Sequence, residues 1–328
     1  MEENCASDEE MQLQTSILLR SNVVFMSIFA FLTFYLSYRA FMILKIGAVF
    51  HSSTRILLFT GLAFVNVHEM TFFYLQIITL YRSFALADDK CKIMRTTKEC
   101  RAQNHVLIFG LSGITFTQSA LSMERLIATI IPETYSKLRK WPGVALSVLV
   151  VLCSAAAPFI IVWGDTYQDK VPNCFFFPSQ SSDRANAFLV VLTILVFFSI
   201  FLNLIIISVN KNLEMKTRYQ VEQRYQKREA LISTRIVCCI ATAQFFALAF
   251  YSCSVLAIRL SKRDIDKSIY HNIVWWAYTV PLAAVALPAL LIHRINQTGR
   301  WRKKVINKIT NLTETQEEHI ESLKQLWR

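Results

Sequence analysis

Apolar residues gather along the chain into seven runs, at approximately 22–44, 56–80, 104–130, 143–163, 185–208, 230–258 and 270–293. A helix rises ~1.5 Å per residue, so about 20 apolar residues match the ~30 Å hydrocarbon layer of a bilayer. Each run is long enough, and together they predict an all-α protein with seven membrane-spanning helices. Three segments follow: 1–21 ahead of the first span, a bundle over 22–293, and a polar tail over 294–328. The runs differ in kind. The fifth, around Phe188-Leu189-Val190-Val191-Leu192, is almost purely apolar, whereas the second, third and seventh carry Asn, Gln, His, Glu, Thr and Tyr. Polar side chains within a membrane need partners, which places those three helices in the bundle interior.

Composition agrees. Hydrophobic residues make up 54% of the 328 and charged residues only 18%, a surplus of apolar side chain that one globular core would not bury. The net charge of +12 suggests nucleic acid in a soluble chain, but here Lys and Arg stand in short blocks between the apolar runs, so no nucleic-acid partner is expected and the blocks are read as topology. The first ten residues are acidic and lack the basic n-region and cleavage site of a signal peptide. One basic residue, Arg20, precedes the first span, and Lys45 and Arg55 follow it, which predicts residues 1–21 outside and the tail inside. The segments assigned to the inside hold the larger share of Lys and Arg. Both sequons, Asn296-Gln297-Thr298 and Asn311-Leu312-Thr313, then lie inside and are expected to stay unmodified. Val305, Ile309 and Leu312 share one face among basic residues, which predicts an amphipathic helix in the inner headgroup layer. A second, shorter one is expected over 315–327.

Cys153, Cys238, Cys239 and Cys253 fall within apolar runs, while Cys5, Cys91, Cys100 and Cys174 fall in polar segments assigned to the outside, where disulfides persist. No metal-ligand spacing occurs, so neither metal nor cofactor is expected.

At the inner end of the third run stands Met123-Glu124-Arg125-Leu126-Ile127-Ala128-Thr129, with Pro132 and Tyr135 seven and ten residues beyond the Arg and Cys100 twenty-five before it. An acidic–Arg pair at a helix end is also an ordinary snorkelling pair. These offsets are similar to those of the rhodopsin-like receptors, and that resemblance implies a disulfide from Cys100 to the loop holding Cys174. Cys5 and Cys91 remain as the second pair, with a Cys91–Cys100 bond the rival. The chain departs from the same receptors in its seventh run, which has Tyr278-Thr279-Val280-Pro281 and Leu287-Pro288-Ala289 in place of Asn-Pro-x-x-Tyr, and in its proline-free sixth.

A closer resemblance is carried by Cys5-Ala6-Ser7, Phe50-His51-Ser52-Ser53-Thr54, the Met123–Thr129 block, Cys174-Phe175-Phe176-Phe177-Pro178, Gln226-Lys227-Arg228-Glu229-Ala230-Leu231-Ile232-Ser233-Thr234 and Trp276-Ala277-Tyr278-Thr279-Val280-Pro281. In order and spacing these blocks resemble the nematode serpentine receptor class alpha (Sra) family of seven-helix chemoreceptors. The resemblance implies a GPCR-like bundle in the plasma membrane of a sensory neuron, in its cilia, taking an external small molecule and a cytoplasmic heterotrimeric G protein as partners. Glu124, Arg125, Pro132, Lys227 and Arg228 are the expected coupling residues. The basic segment 210–229 reads equally as a solvated helical extension with pairs such as Glu214–Arg218. Neighbouring side chains on a helix diverge by about 100°, so Glu124 and Arg125 are expected to form a weak, exchangeable lock.

For the ligand, Glu69, Thr115, Tyr251, Trp275 and Tyr278 are the candidates. Glu69 sits beside His68 at mid-membrane, where a carboxylate needs compensation, as a structural network or as part of a pocket. Trp275 and Tyr278 stand three apart and are expected to share a face, although such rings also form membrane belts. Two other classes compete. A transporter or channel lacks support from paired Gly/Pro breaks. An intramembrane serine protease is suggested by Gly110-Leu111-Ser112-Gly113 with His68 at a matching depth, yet small residues in a buried helix more often serve close packing. No catalytic residue is expected.

Overall fold

The computed structural model describes residues 5–46, 50–164, 170–171, 173–174, 179–216, 221–260, 267–310 and 320–321. Its elements in chain order are α1 (Asp8–Thr15), α2 (Ile17–Ile46), α3 (Ser52–Ala85), β1 (Arg95–Thr96), α4 (Thr97–Ile130), α5 (Pro132–Leu138), α6 (Trp141–Ile161), β2 (Lys170–Val171), α7 (Ser179–Lys216), α8 (Val221–Leu260), α9 (Lys267–Ala277) and α10 (Val280–Thr310). Among the described residues seven helical segments are long and apolar enough to cross a membrane, and the protein is a seven-transmembrane, GPCR-like bundle. The spans are α2, α3, α4, α6, α7, α8, and a seventh shared between α9 and α10.

Burial ranks the spans. In the apolar stretch of α4, 72% of residues are buried, against 28% in α6 and in α7. Thus α4 is central, and α6 and α7 turn rings and aliphatic groups such as Leu152, Phe198 and Phe201 outward, where lipid takes the place of a core. Close approach at the centre depends on the Gly-Leu-Ser-Gly stretch: a Cβ on Gly110 would run into the backbone of His68, and one on Gly113 into the ring of Phe64.

Two helix breaks were not legible as hydropathy. Ser7 and Glu10 form a capping box, with the Ser7 hydroxyl accepting from Glu10 N at 3.2 Å and Glu10 accepting from Ser7 N at 3.0 Å. This starts α1, a helix ahead of the first span within a segment expected only to be polar and external. The seventh run, expected as one helix over 270–293, divides at Tyr278–Thr279. Pro281 has no N–H to continue the ladder and sits in the first turn of α10, where none is needed; Thr279 O then accepts from Leu282 and Ala283. At its other end α10 runs on through Thr310, so residues 301–310 are helical as a direct continuation of the seventh span. Of the second tail helix expected over 315–327 only residues 320–321 are described, and they are helical; the sequon at Asn311 and the Glu214–Arg218 pair lie outside the described residues or side chains.

One end of the bundle is tied covalently. Cys5–Cys91 and Cys100–Cys174 are disulfides, and a two-residue antiparallel ladder pairs Arg95 with Val171 and Thr96 with Lys170. Cys91–Cys100 is not formed. Ala6 N donates to Lys90 O at 2.9 Å, and the Arg82 guanidinium donates to Lys92 O at 3.0 Å, so α1 and the α3–β1 loop are drawn down onto this end.

Candidate functional site

At the opposite end, about 38 Å along α4 from Cys100, α4 presents Glu124 and Arg125, which are 0% and 4% exposed. The two side chains meet in spite of their divergence around the helix. Arg125 Nε donates to Glu124 Oε2 at 2.6 Å and Nη2 to Oε1 at 2.6 Å, a two-point contact. The divergence expected to weaken the lock does not keep the two apart, because burial and further partners hold the pair. From α3, Thr54 Oγ1 accepts from Arg125 Nη2 at 2.5 Å and lies 3.1 Å from Glu124 Oε1. From α8, Ser233 Oγ accepts from Arg125 Nη1 at 3.2 Å. From α5, the Tyr135 hydroxyl donates to Glu124 Oε1 and accepts from Arg125 Nη2 at 3.2 Å.

Pro132 explains the reach of Tyr135. It occupies the first turn of α5, restarts a helix directly after α4 ends, and sends Tyr135 back beneath Glu124. Behind Tyr135 lies His51, whose Nδ1 caps α3 at Ser53 N and stands 3.0 Å from the Tyr135 hydroxyl. Burial holds the His51 imidazole below its ordinary pKa, outweighing the pull of Glu124 in the other direction; Arg125 and Arg55 add to the lowering. Burial likewise pushes the Tyr135 phenol up, so it stays protonated and able to donate. The site thus gathers α3, α4, α5 and α8 around one buried ion pair.

Of the residues expected here, Pro132 acts through Tyr135. Arg228 is exposed on α8 with its guanidinium 4.5 Å from the Trp301 ring centroid, and the Lys227 side chain lies outside those described. Thr54, Ser233 and His51 were missed as site residues. The available signal was their place in the 50–54 and 226–234 blocks, which converge on the 123–129 block in space.

Nearer the disulfide end is a cavity of about 50 Å3, lined by Asn104, Leu107 and Leu111 of α4, Phe188 of α7, Tyr251 of α8, and Tyr278 at the α9–α10 break. The rings of Tyr251 and Tyr278 meet edge to face at 5.2 Å. Tyr278 OH lies 2.9 Å from His68 Nε2, and His68 Nδ1 lies 2.9 Å from Glu69 Oε1, so a polar chain runs from the cavity wall into α3. Only two of the five candidate ligand residues, Tyr251 and Tyr278, line the cavity. Glu69 is fully buried behind His68, and Thr115 donates to Leu111 O of its own helix. Trp275 packs with Leu19 and Val23 of α2. It does not share a face with Tyr278, because the helix ends between them.

The protease geometry is not formed. Ser112 Oγ donates to Ile108 O at 2.7 Å within its own helix, and both nitrogens of His68 are taken by Glu69 and Tyr278.

The family described as serpentine type 7TM GPCR chemoreceptor Sra matches residues 1–327. Serpentine receptor class alpha-10 of Caenorhabditis elegans is 62% identical over 325 residues, 98% of this chain and 97% of that protein. Its Caenorhabditis briggsae counterpart of the same name is 61% identical over 323 residues, again 98% and 97%. Serpentine receptor class alpha-6 of C. elegans is 31% identical over 324 residues, 99% of this chain and 98% of that protein.

Proposed function

The chain belongs to the Sra family of serpentine seven-transmembrane chemoreceptors, and from that premise we propose that it binds an external small molecule in the disulfide-end half of the bundle and activates a heterotrimeric G protein at the Arg125 end. The observation that carries the reading is the buried Glu124–Arg125 pair held by residues from three further helices. Ser233 is the contribution of α8, so an outward movement of α8 removes one partner of the guanidinium and opens it toward the aqueous side. A ligand drives that movement only by its differential affinity for the open state. The cavity at Tyr251 and Tyr278 is smaller than the ~300 Å3 of ordinary ligand pockets, so the ligand is small or enters an expanded form. The apolar walls with Asn104 and two tyrosines suit a mostly apolar molecule bearing one hydrogen-bonding group. Glu69, Thr115 and Trp275 then act behind the first layer, Glu69 through His68 and Tyr278.

Two observations support an outside N-terminus: both disulfides sit at one end, as an oxidising face requires, and the basic tail sits at the other. Plasma membrane, in sensory cilia, is the location that suits this use. The test expresses the chain with a reporter G protein and screens pooled environmental odorants. Agonist-driven turnover that Tyr278→Phe shifts in potency, at normal surface level, is the expected result. Epitope tags at both termini read the orientation; a C-terminal tag reachable in intact cells overturns it.

A further inference from the structure

On the Arg125 half of the bundle, α8 has two faces. Ser233, Thr234, Val237, Ile240 and Ala241 are buried against the other helices. The opposite face repeats Arg228, Ile232, Arg235, Cys239, Thr242 and Phe246 at helical spacing, and these form the floor of a groove of about 1110 Å3 walled by Ile207 and Lys211 of α7 and by Leu290, Arg294 and Trp301 of α10. The groove is amphipathic along its length. Its cations, Lys211, Arg228, Arg235 and Arg294, cluster toward the end of the span, while Phe246, 65% exposed, and Leu290 lie deeper. Arg235 and Phe246 are eleven residues apart on α8, about 16 Å, which is roughly one leaflet of hydrocarbon.

None of the four cations pairs with a carboxylate among the described side chains, which do not include those of Glu214, Glu222 and Glu229. Arg294 spends Nη1 on Gln297 Oε1 at 3.0 Å and Nη2 on Cys239 Sγ at 3.3 Å, and its buried Nε has no partner. A guanidinium placed at the hydrocarbon edge with a donor unspent calls for an anion that itself belongs to the membrane. We propose that this groove binds a phospholipid with a polyphosphorylated headgroup, its phosphates on Arg235, Arg294, Arg228 and Lys211 and an acyl chain along Thr242 and Phe246. Several cations in one groove match a polyanionic headgroup better than a singly charged one. The lipid braces α8 against α10 from behind, on the helix whose other face carries Ser233 to Arg125.

Placing this lipid in the cytoplasmic leaflet rests on the orientation proposed above, but the test does not. Purified full-length protein in nanodiscs of phosphatidylcholine, alone or doped with a polyphosphoinositide or with phosphatidylserine, is read by native mass spectrometry for retained lipid and by thermal stability. The polyphosphoinositide is expected to be retained in preference to phosphatidylserine and to raise the melting temperature. Arg235→Gln and Arg294→Gln each weaken retention about fivefold, as loss of one charge near a headgroup predicts, while Arg300→Gln, outside the groove, leaves it unchanged. Arg235 is exposed, so its variant folds normally and keeps the comparison valid. Equal retention of phosphatidylserine, equal binding of the soluble inositol polyphosphate, or full retention in both groove variants overturns the proposal.

Discussion

The two ends of the bundle are held together by different chemistry. At one end, two disulfides, a short backbone ladder and the Arg82 contacts to three successive carbonyls fasten α1, the α3–β1 loop and the start of α4. None of those links can be exchanged without breaking a covalent bond or unpairing backbone. At the other end, α3, α5 and α8 are held to α4 by side-chain hydrogen bonds around a buried guanidinium with interchangeable oxygen partners. A helix anchored at one end and held by exchangeable bonds at the other is suited to carry a displacement toward its loose end. The contrast also ranks the expected consequences of damage: loss at the covalent end should cost stability, while loss at the polar end should, on the proposed function, also change the resting state.

The largest effect is expected at the pair itself. Arg125→Ala leaves Glu124 buried without its charge partner, a change worth about 3–5 kcal/mol, and should abolish coupling in whatever fraction reaches the surface. Glu124→Gln keeps the shape and should raise basal G-protein turnover. If basal turnover is unchanged in Glu124→Gln and Arg125→Lys couples fully, the pair is only an anchor and the contrast between the two ends disappears.

Next comes the covalent end. The Cys100–Cys174 bond spans 74 residues, and the double serine variant should lose about 2–5 kcal/mol, read as a lower melting temperature and reduced surface level. Agonist potency should fall while basal turnover per surface receptor stays level. A rise in basal turnover would show that the two ends are not separable in this way.

Smaller still is Ser233→Ala, which removes a single hydrogen bond to a charged group, worth about 1.5–3 kcal/mol at most, and should raise basal turnover less than Glu124→Gln does. The smallest effect is that of pH. His51 faces Glu124 and Arg125 of α4, Tyr135 of α5 and Arg55 of its own helix, and burial keeps its pKa below the ordinary value of about 6.5. The closed arrangement is therefore at full stability above pH ~6.5 and loses it as pH falls toward the lowered value, since only states with a solvated imidazole take up the proton freely. Basal turnover should climb on cytoplasmic acidification below pH ~6.5, and His51→Gln should flatten the profile.

The sequence by itself determined the architecture. Partition into hydrocarbon depends on each segment's own side chains and length, so the seven spans, the interior character of α3 and α4, and the family blocks could be read residue by residue. The Glu124–Arg125 position and Cys100 were legible for the same reason, as spacings within one helix. The tertiary structure alone decided who meets whom. Thr54, Tyr135 and Ser233 reach Arg125 from three other elements, with His51 behind Tyr135, and their convergence depends on the depth and rotation at which helices pack, set by close approaches such as Gly110 on His68 and Gly113 on Phe64. The parting of Trp275 from Tyr278 has a similar origin: a local break at Thr279, its hydroxyl bonded to Ala247 O at 2.6 Å, ends the helical register that would have kept the two rings on one face. The groove on the outward face of α8 likewise lies beyond the sequence, because it is a property of three helices and of none of them singly.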